Sequence, residues 1–164
     1  MAVATVENPG TVDVRFGILL GATGMVCEPD GDFAAARPAE FSLEDLRGQI
    51  ELRHDNDSVV VEDEIVYLAW KLCLEVAPRL MAQQASEVRL YLRSVKVRLE
   101  PQGDLTLVDF AGAQVGAFPT AELARALVSC AQRLAKTLAG LAGAAADVRA
   151  AAEALEKRSH ELKL

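Results

Sequence analysis

Cysteine is scarce in this sequence, and its spacing excludes the common cysteine motifs. The 164 residues contain three cysteines, Cys27, Cys73 and Cys130, which lie far apart and form no CxxC pair. Zinc sites and dithiol redox centres use much closer spacings. Two of the three cysteines fall among apolar residues at helical spacing. We therefore expect reduced thiols in the core of a cytoplasmic protein, with no metal or other cofactor.

The sequence also lacks a leader and a membrane segment. Residues 1–10 have neither the basic region nor the apolar stretch of a signal peptide, and we expect them to form a flexible tail. No apolar run approaches the roughly 20 residues that a helix needs to cross a bilayer. Since 51% of the residues are apolar, the chain still has enough of them for a folded core. We expect a protein without a membrane partner.

Positive charge is scarce in the first half of the chain. Residues 1–86 hold 15 acidic and 6 basic residues, whereas residues 87–164 hold 9 and 11, which gives the net charge of -7. Nucleic-acid binding needs an excess of lysine and arginine, so this balance argues against it. Complementary charge would instead favour a basic protein partner. The alternative is that the acidic loops only keep the protein in solution.

Alternating apolar residues predict strands in the first half of the sequence. The first such run covers residues 12–20. Residues 49–53 and 58–61 form a second pair of runs, and the polar residues 55–57 between them predict a turn. Half-buried antiparallel strands have this pattern because successive side chains point to opposite faces.

A second group of strands is predicted after residue 87. Apolar residues alternate over 88–92 and again over 95–99, but the apolar parity slips by one between the two runs. We interpret the slip as a bulge or bend near Ser94. Residues 105–110 and 115–118 predict two further strands, separated by turns.

The apolar period becomes helical in two places. Residues 65–84 are apolar on nearly every side, which predicts a buried central helix with a kink or break at Pro78. The acidic residues 62–64 suit its N-terminus. From Thr120, a fair N-cap, one apolar stripe predicts an amphipathic helix. Together these patterns predict an α+β fold over residues 11–138, in which an antiparallel sheet packs on the central helix.

Residues 139–164 are predicted to form an alanine-rich helical extension. Apolar residues recur there every seven positions, which is typical of coiled-coil contact. A single helix from residue 120 to 164 would span roughly 68 Å and would project toward a second copy. A break at Gly140 and Gly143 would instead fold the last helix back, and we favour these two helices. The residues expected to join two copies are Leu141, Val148, Leu155 and Leu162.

Residues 18–26 carry a glycine motif. Their sequence, ILLGATGMV, resembles the strand and glycine-rich turn of the extended Rossmann dehydrogenases, which implies a nucleotide site. Gly21 and Gly24 match that pattern, but Cys27 stands where the third glycine belongs. The turn-forming residues 28–31 also replace the helix that must follow. We therefore expect a glycine-containing turn between strands.

One histidine lies beside carboxylates, at His54, Asp55 and Asp57. Such a cluster is able to supply a general base or a metal ligand. Adjacent residues in a tight turn point in different directions, however, and no motif places a nucleophile nearby. Asp30 and Asp32 form a DxD pair, which is a weak cation signal without further ligands. We expect exposed loop acids here, with no catalytic and no metal residues, and therefore no enzyme.

These patterns favour a non-catalytic protein-binding module, an inhibitor or adaptor whose acidic region, residues 28–64, contacts a basic partner. Immunity proteins that neutralise bacterial toxins are similar in size and charge, although no motif is shared. The residues expected to bind the partner are Asp30, Asp32, Glu44, Asp45, Asp55 and Asp57. One alternative is a homodimeric scaffold protein joined through the C-terminal helices. Another is a small-molecule binder that uses the Gly21 to Gly24 turn and His54.

Overall fold

The computed structural model of the protein describes residues 11–20, 24–33, 46–141 and 145–164. Within these residues, eight strands form two four-stranded antiparallel sheets. The strands are β1 (Asp13–Leu19), β2 (Met25–Cys27), β3 (Arg47–His54), β4 (Asp57–Glu64), β5 (Ser86–Arg89), β6 (Lys96–Gln102), β7 (Leu105–Phe110) and β8 (Ala113–Pro119). The helices are α1 (Ile65–Leu68), a π-helical segment (Ala69–Leu74), α2 (Val76–Met81), α3 (Thr120–Ala139) and α4 (Ala146–Glu161). The predicted α+β class is confirmed, with the strands divided between two sheets.

Sheet 1 has the strand order β2-β1-β3-β4, and every neighbouring pair is antiparallel. The three strands predicted in the first half of the sequence correspond to β1, β3 and β4. The chain between β1 and β2, which holds the glycine motif, joins two antiparallel strands, as predicted. Alternate side chains of the sheet are buried against the helices, and they include Val14, Phe16, Ile18, Ile50, Leu52, Val59 and Val61.

Sheet 2 has the order β5-β6-β7-β8 and is also antiparallel. Of the two interpretations of the parity slip near Ser94, the bulge is wrong and the bend is confirmed, because the chain bends at residues 91–93 and reverses within residues 90–95. The Leu90 amide donates to the Val95 carbonyl at 2.8 Å, and Ser94 takes a left-handed φ of 51°. The slip in apolar parity therefore marks a turn, after which each strand keeps its apolar face toward the core.

The central helix comprises residues 65–81 and is buried, as predicted. It divides at Glu75, three residues before Pro78, where the Glu75 amide donates to the Trp70 carbonyl at 2.9 Å. That bond spans five residues and closes a π-helical turn. The acidic residues 62–64 precede the helix as predicted, since it begins at Ile65 with Glu64 as its N-cap residue, but they also have a second role. They end β4, because they pair with residues 47–49 of β3 and continue its ladder.

α3 begins at Thr120, but the Thr120 hydroxyl donates to the Gly103 carbonyl at 3.0 Å and does not cap the helix. The predicted apolar stripe of α3 is buried against β1, β8 and the central helix. α3 ends at Ala139, and α4 packs against it. The favoured pair of helices is therefore confirmed. Apolar residues from both sheets and from all the helices form one hydrophobic cluster.

β4 connects the two sheets through carboxylates near its two ends. At its start, Asp57 accepts a hydrogen bond from the Ala117 amide of β8 at 3.2 Å. Near its end, the buried Asp63 accepts one from the Tyr91 amide, in the turn after β5, at 2.7 Å. The lack of a side chain at Gly116 allows Asp57 to lie this close to β8, because a Cβ at position 116 would be only 3.3 Å from the Asp57 Cβ. These contacts fix the β3–β4 turn relative to sheet 2.

Candidate functional site

The β3–β4 turn, with Asp55 and Asp57, lies at the end of sheet 1 where β1 begins. Asp13, the first residue of β1, is paired with Arg53, and the turn follows directly. Asp55 is exposed and takes a left-handed φ of 51°. Asp57 is half-buried because it bonds to β8. Asp55 thus faces solvent, whereas Asp57 also holds the turn in place.

Asp30 and Asp32 lie in the segment that follows β2. The Glu28 amide donates to the Phe16 carbonyl at 3.0 Å, and the chain then turns, since the Gly31 amide donates to the Cys27 carbonyl at 2.8 Å. Asp30 and Asp32 are both exposed. We use the term acidic end for the two loops that carry four predicted partner-binding residues, which are Asp30 and Asp32 after β2 and Asp55 and Asp57 between β3 and β4.

The segment that carries Asp30 and Asp32 is anchored by a salt bridge between Glu28 and Arg133 of α3. The Arg133 Nε donates to Glu28 at 2.7 Å, and another guanidinium nitrogen donates to the Val14 carbonyl at 2.6 Å. Burial lowers the pKa of Arg133, but the hydrogen bond and charge of Glu28 outweigh burial and hold that pKa above its ordinary value. Glu28 is therefore a structural acid.

Two other predicted partner-binding residues, Glu44 and Asp45, lie outside the described residues. Several more acids of the 28–64 region have partners within the chain. Glu51 pairs with Arg53 at 3.1 Å, and Glu62 pairs with Arg93 at 2.9 Å. The excess of acid in the sequence is therefore larger than the excess of unpaired carboxylate on the surface.

The structural role of Asp63 was missed by the sequence reasoning, which assigned it to a helix start. It is 1% exposed and accepts hydrogen bonds from the Glu64 and Tyr91 amides. A signal for this role is present, because Asp63 takes the inward position that follows Val59 and Val61 in the alternation of β4. A carboxylate at such a position must find donors within the fold.

His54 is tied to its own turn. Its Nε2 lies 3.3 Å from Asp55, and its Nδ1 lies 3.3 Å from the Thr11 carbonyl. Among the residues that the structure describes, no group of three or more His, Cys, Asp or Glu side chains is arranged to hold a metal ion. The contacts of His54 are therefore those of a residue that holds the turn against the start of β1.

The three cysteines are free thiols. The hydrogen bond with Cys73, together with burial, raises the pKa of the Cys130 thiol well above its ordinary value. Burial, assisted by the charge of Glu51, also raises the pKa of Cys27. Because the thiolate is the nucleophilic form, neither residue has the lowered pKa of a reactive cysteine.

Most of the residues predicted to join two copies are buried within the monomer. Leu141, Val148 and Leu155 are at most 4% exposed, because α4 packs against α3. Leu162 is half-buried and packs on the same cluster. Their seven-residue repeat is thus used for contact within the monomer. A dimer through these side chains would first require α4 to leave α3.

Comparisons with known proteins add no family to this description. No protein-family model, no curated protein and no solved structure matches the chain. In the part of the chain that the structure describes, no helix combines the length and apolar character needed to span a membrane.

Proposed function

We propose that the protein is a non-catalytic binding module, an inhibitor or adaptor that presents its acidic end to a basic protein partner. The observation that carries this proposal is the exposure of Asp30 and Asp55 on two separate loops of sheet 1, one after β2 and one between β3 and β4. A partner with several lysines or arginines would be steered toward that end and held by charge-assisted hydrogen bonds. A toxin-neutralising immunity protein is one form of such a module.

The rigidity of the acidic end supports this proposal. The Glu28–Arg133 pair anchors one acidic segment, and the hydrogen bond that the Ala117 amide donates to Asp57 anchors the other. A preformed surface spends little entropy on binding. Asp30 and Asp55 are exposed, whereas Asp57 is half-buried and holds the β3–β4 turn against β8.

The direct experiment is a pull-down of the tagged protein from its source cells at low and at moderate salt. Bound proteins are identified and counted by mass spectrometry. We expect one basic protein in a stoichiometric amount, with less recovered as salt rises, because screening weakens contacts between exposed charges. Recovery of only the tagged chain at both salts would contradict the proposal.

A charge-matched pair of variants tests the site itself. Asp30→Asn with Asp55→Asn removes two exposed charges from the acidic end, and asparagine tolerates the left-handed backbone at position 55. Glu153→Gln with Glu161→Gln removes two exposed charges from α4 and serves as the control. We expect the first pair to weaken capture and flatten its salt dependence. Equal capture by both pairs would exclude the acidic end as the contact surface.

The homodimeric alternative is not favoured, because three of its four contact residues are buried within the chain. Static light scattering separates the two functions. A concentration-independent monomer agrees with the binding module, whereas a dimer that persists at high salt would favour the scaffold protein.

A further inference from the structure

β5 is an edge strand of sheet 2, and one side of its backbone faces away from the sheet. The Leu90 amide bonds to Val95 of the neighbouring strand segment, and Val88 is paired with Val97. Because alternate residues of a strand bond to opposite sides, Glu87 and Arg89 direct their backbone groups outward. The Glu87 amide and carbonyl and the Arg89 amide have no hydrogen-bond partner among the described residues.

Two side chains from the central helix mark the ends of this open edge. The Tyr67 hydroxyl donates to the Arg89 carbonyl at 2.6 Å, and Arg79 donates to the Ala85 carbonyl at 2.8 Å. Between them, the helix and the strand line a groove of about 400 Å³. The exposed ring of Tyr91 lies at its rim, 5.2 Å from the ring of Tyr67. The groove thus combines the free backbone groups of β5 with the aromatic rings of Tyr67 and Tyr91.

The unpaired charge of the groove is positive. Its two carboxylates are already neutralised, since Glu75 pairs with Lys71 at 3.1 Å and Glu87 pairs with Lys96 at 3.0 Å. Arg79 and Arg89 also line the groove, and neither has an ion-pair partner within the described part of the chain. An occupant with carboxylates would complement these two guanidinium groups.

We propose that this groove binds an extended acidic peptide segment, which adds to β5 as a further strand of sheet 2. Strand addition obtains affinity from backbone hydrogen bonds and specificity from alternate side chains. Here the Glu87 amide and carbonyl and the Arg89 amide supply the backbone bonds, while Arg79 and Arg89 select acidic side chains. The groove is separate from the acidic end and takes a partner of opposite charge, so this inference goes beyond the proposed function.

The test is a titration of the full chain into a fluorescein-labelled octapeptide of alternating glutamate and valine, followed by anisotropy. An octapeptide of alternating lysine and valine is the charge control. We expect saturable binding of the acidic peptide and binding at least about tenfold weaker for the basic one, which corresponds to about 1.4 kcal/mol. The acidic peptide should also slow hydrogen exchange at the Glu87 and Arg89 amides.

A matched pair at position 87 separates strand addition from charge. Glu87→Pro removes the outward amide without breaking the ladder to β6, because proline is tolerated where the N–H of an edge strand faces solvent. Glu87→Gln removes the charge and keeps the amide. We expect Glu87→Pro to weaken peptide binding about tenfold and Glu87→Gln not to weaken it. If Glu87→Pro does not fold, the amide protection in the unaltered chain decides the question.

A second pair tests the charge of the groove. Arg89→Gln should weaken binding of the acidic peptide, whereas Arg149→Gln, an equal charge change on exposed α4, should not. Equal binding of both peptides, or unchanged binding in Glu87→Pro, would overturn the proposal. So would a homodimer that Glu87→Pro dissociates, because β5 would then pair with a second copy.

Discussion

Each sheet has four antiparallel strands, but the two sheets differ in connectivity, in charge and in the way their edges are used. Sheet 2 is a meander of consecutive strands, whereas in sheet 1 β1 lies between β2 and β3. The strands of sheet 1 carry six acidic and three basic residues, whereas those of sheet 2 carry three of each. The β4 edge of sheet 1 is held to sheet 2 through Asp57 and Asp63. The β5 edge of sheet 2 instead borders a groove. Acidic side chains of sheet 1 therefore form the contacts between the two sheets, whereas sheet 2 has an edge strand whose backbone is open.

This difference indicates that an acidic composition is a poor measure of an acidic surface. Asp63 is buried, Asp57 is half-buried, and Glu62 is paired with an arginine of the β5–β6 turn. Asp30 and Asp55 of the acidic end remain exposed. In sheet 2, which is balanced in charge, Arg89 of β5 has no ion-pair partner among the residues described, and neither has Arg79 of α2, which lines the same groove.

The largest effect is expected from the core that the two sheets share. Phe16 in β1 and Phe118 in β8 are at most 1% exposed and belong to one cluster. Phe16→Ala and Phe118→Ala should each lower the free energy of unfolding by about 3–5 kcal/mol, because each leaves a cavity. Urea unfolding followed by Trp70 fluorescence and by circular dichroism measures both variants. Two separate transitions would show that the sheets fold as independent units.

The junction between the sheets should respond next. Asp63→Ala leaves the Tyr91 amide without its acceptor, and we expect a loss of about 1–3 kcal/mol in the same urea experiment. Asp63→Asn keeps one acceptor oxygen and should lose less. Asp55→Asn is the control for removing a charge, because the position is exposed and asparagine tolerates its left-handed backbone. A loss in Asp55→Asn as large as that in Asp63→Ala would mean that net charge, and not the junction, sets the stability.

The tie between sheet 1 and α3 is expected to contribute less, because the Arg133 side chain is 40% exposed. Arg133→Met keeps the length of the side chain and removes its bonds to Glu28 and to the Val14 carbonyl. We expect a loss of about 1–2 kcal/mol, measured by urea unfolding. Arg149→Met, on the exposed face of α4, should stay within about 0.5 kcal/mol of the unaltered chain. Equal values for the two variants would contradict a specific tie.

The smallest effect is expected at the β5 edge. Tyr67→Phe removes the bond to the Arg89 carbonyl and should cost about 1 kcal/mol near neutral pH. Burial, and then the neighbouring Tyr91, raise the pKa of Tyr67 in the folded chain. The unfolded chain therefore loses the Tyr67 proton at a lower pH than the folded chain does. Below about pH 10 both states keep the proton and the stability is unchanged; as pH rises further, through the folded pKa, the folded state loses stability relative to the unfolded one.

Thermal unfolding as a function of pH measures this contribution. The unaltered chain should lose stability above about pH 10 more steeply than Tyr67→Phe. Tyr91→Phe tests the second cause, because it keeps the ring beside Tyr67 and removes the hydroxyl that helps to raise the pKa of Tyr67. Parallel curves for the unaltered chain and Tyr67→Phe would show that ionisation of the Tyr67 hydroxyl does not affect the stability of the folded chain.

Local patterns in the sequence predicted most of the elements because they follow the period of each structure. Alternation identified β1, β3, β4, β7 and β8, and the helical stripe identified α3. At Ser94 the alternation left a bulge and a bend open, since a parity slip is common to both. Only the pairing of β5 with β6 distinguishes them. Charge alone likewise assigned Asp63 to a helix start, although its inward position in the alternation pointed to burial.

The candidate surfaces were less predictable, because each depends on residues that are distant in the chain. The sequence named Asp30 and Asp55 as loop acids, but only the structure shows that both are exposed on loops of the same sheet. The groove at Glu87 has no sequence signal, since its walls come from the central helix and its floor from an edge strand.

Composition and periodicity in the sequence thus determined the α+β class, the buried central helix and the excess of acid in the first half. The tertiary structure decided which acids are paired, which strand edge is open and where α4 packs. The heptad-spaced residues Val148 and Leu155 illustrate the reason. An apolar stripe specifies that a helix needs a partner surface, but only the break after α3 and the position of that helix decide that the surface lies in the same chain.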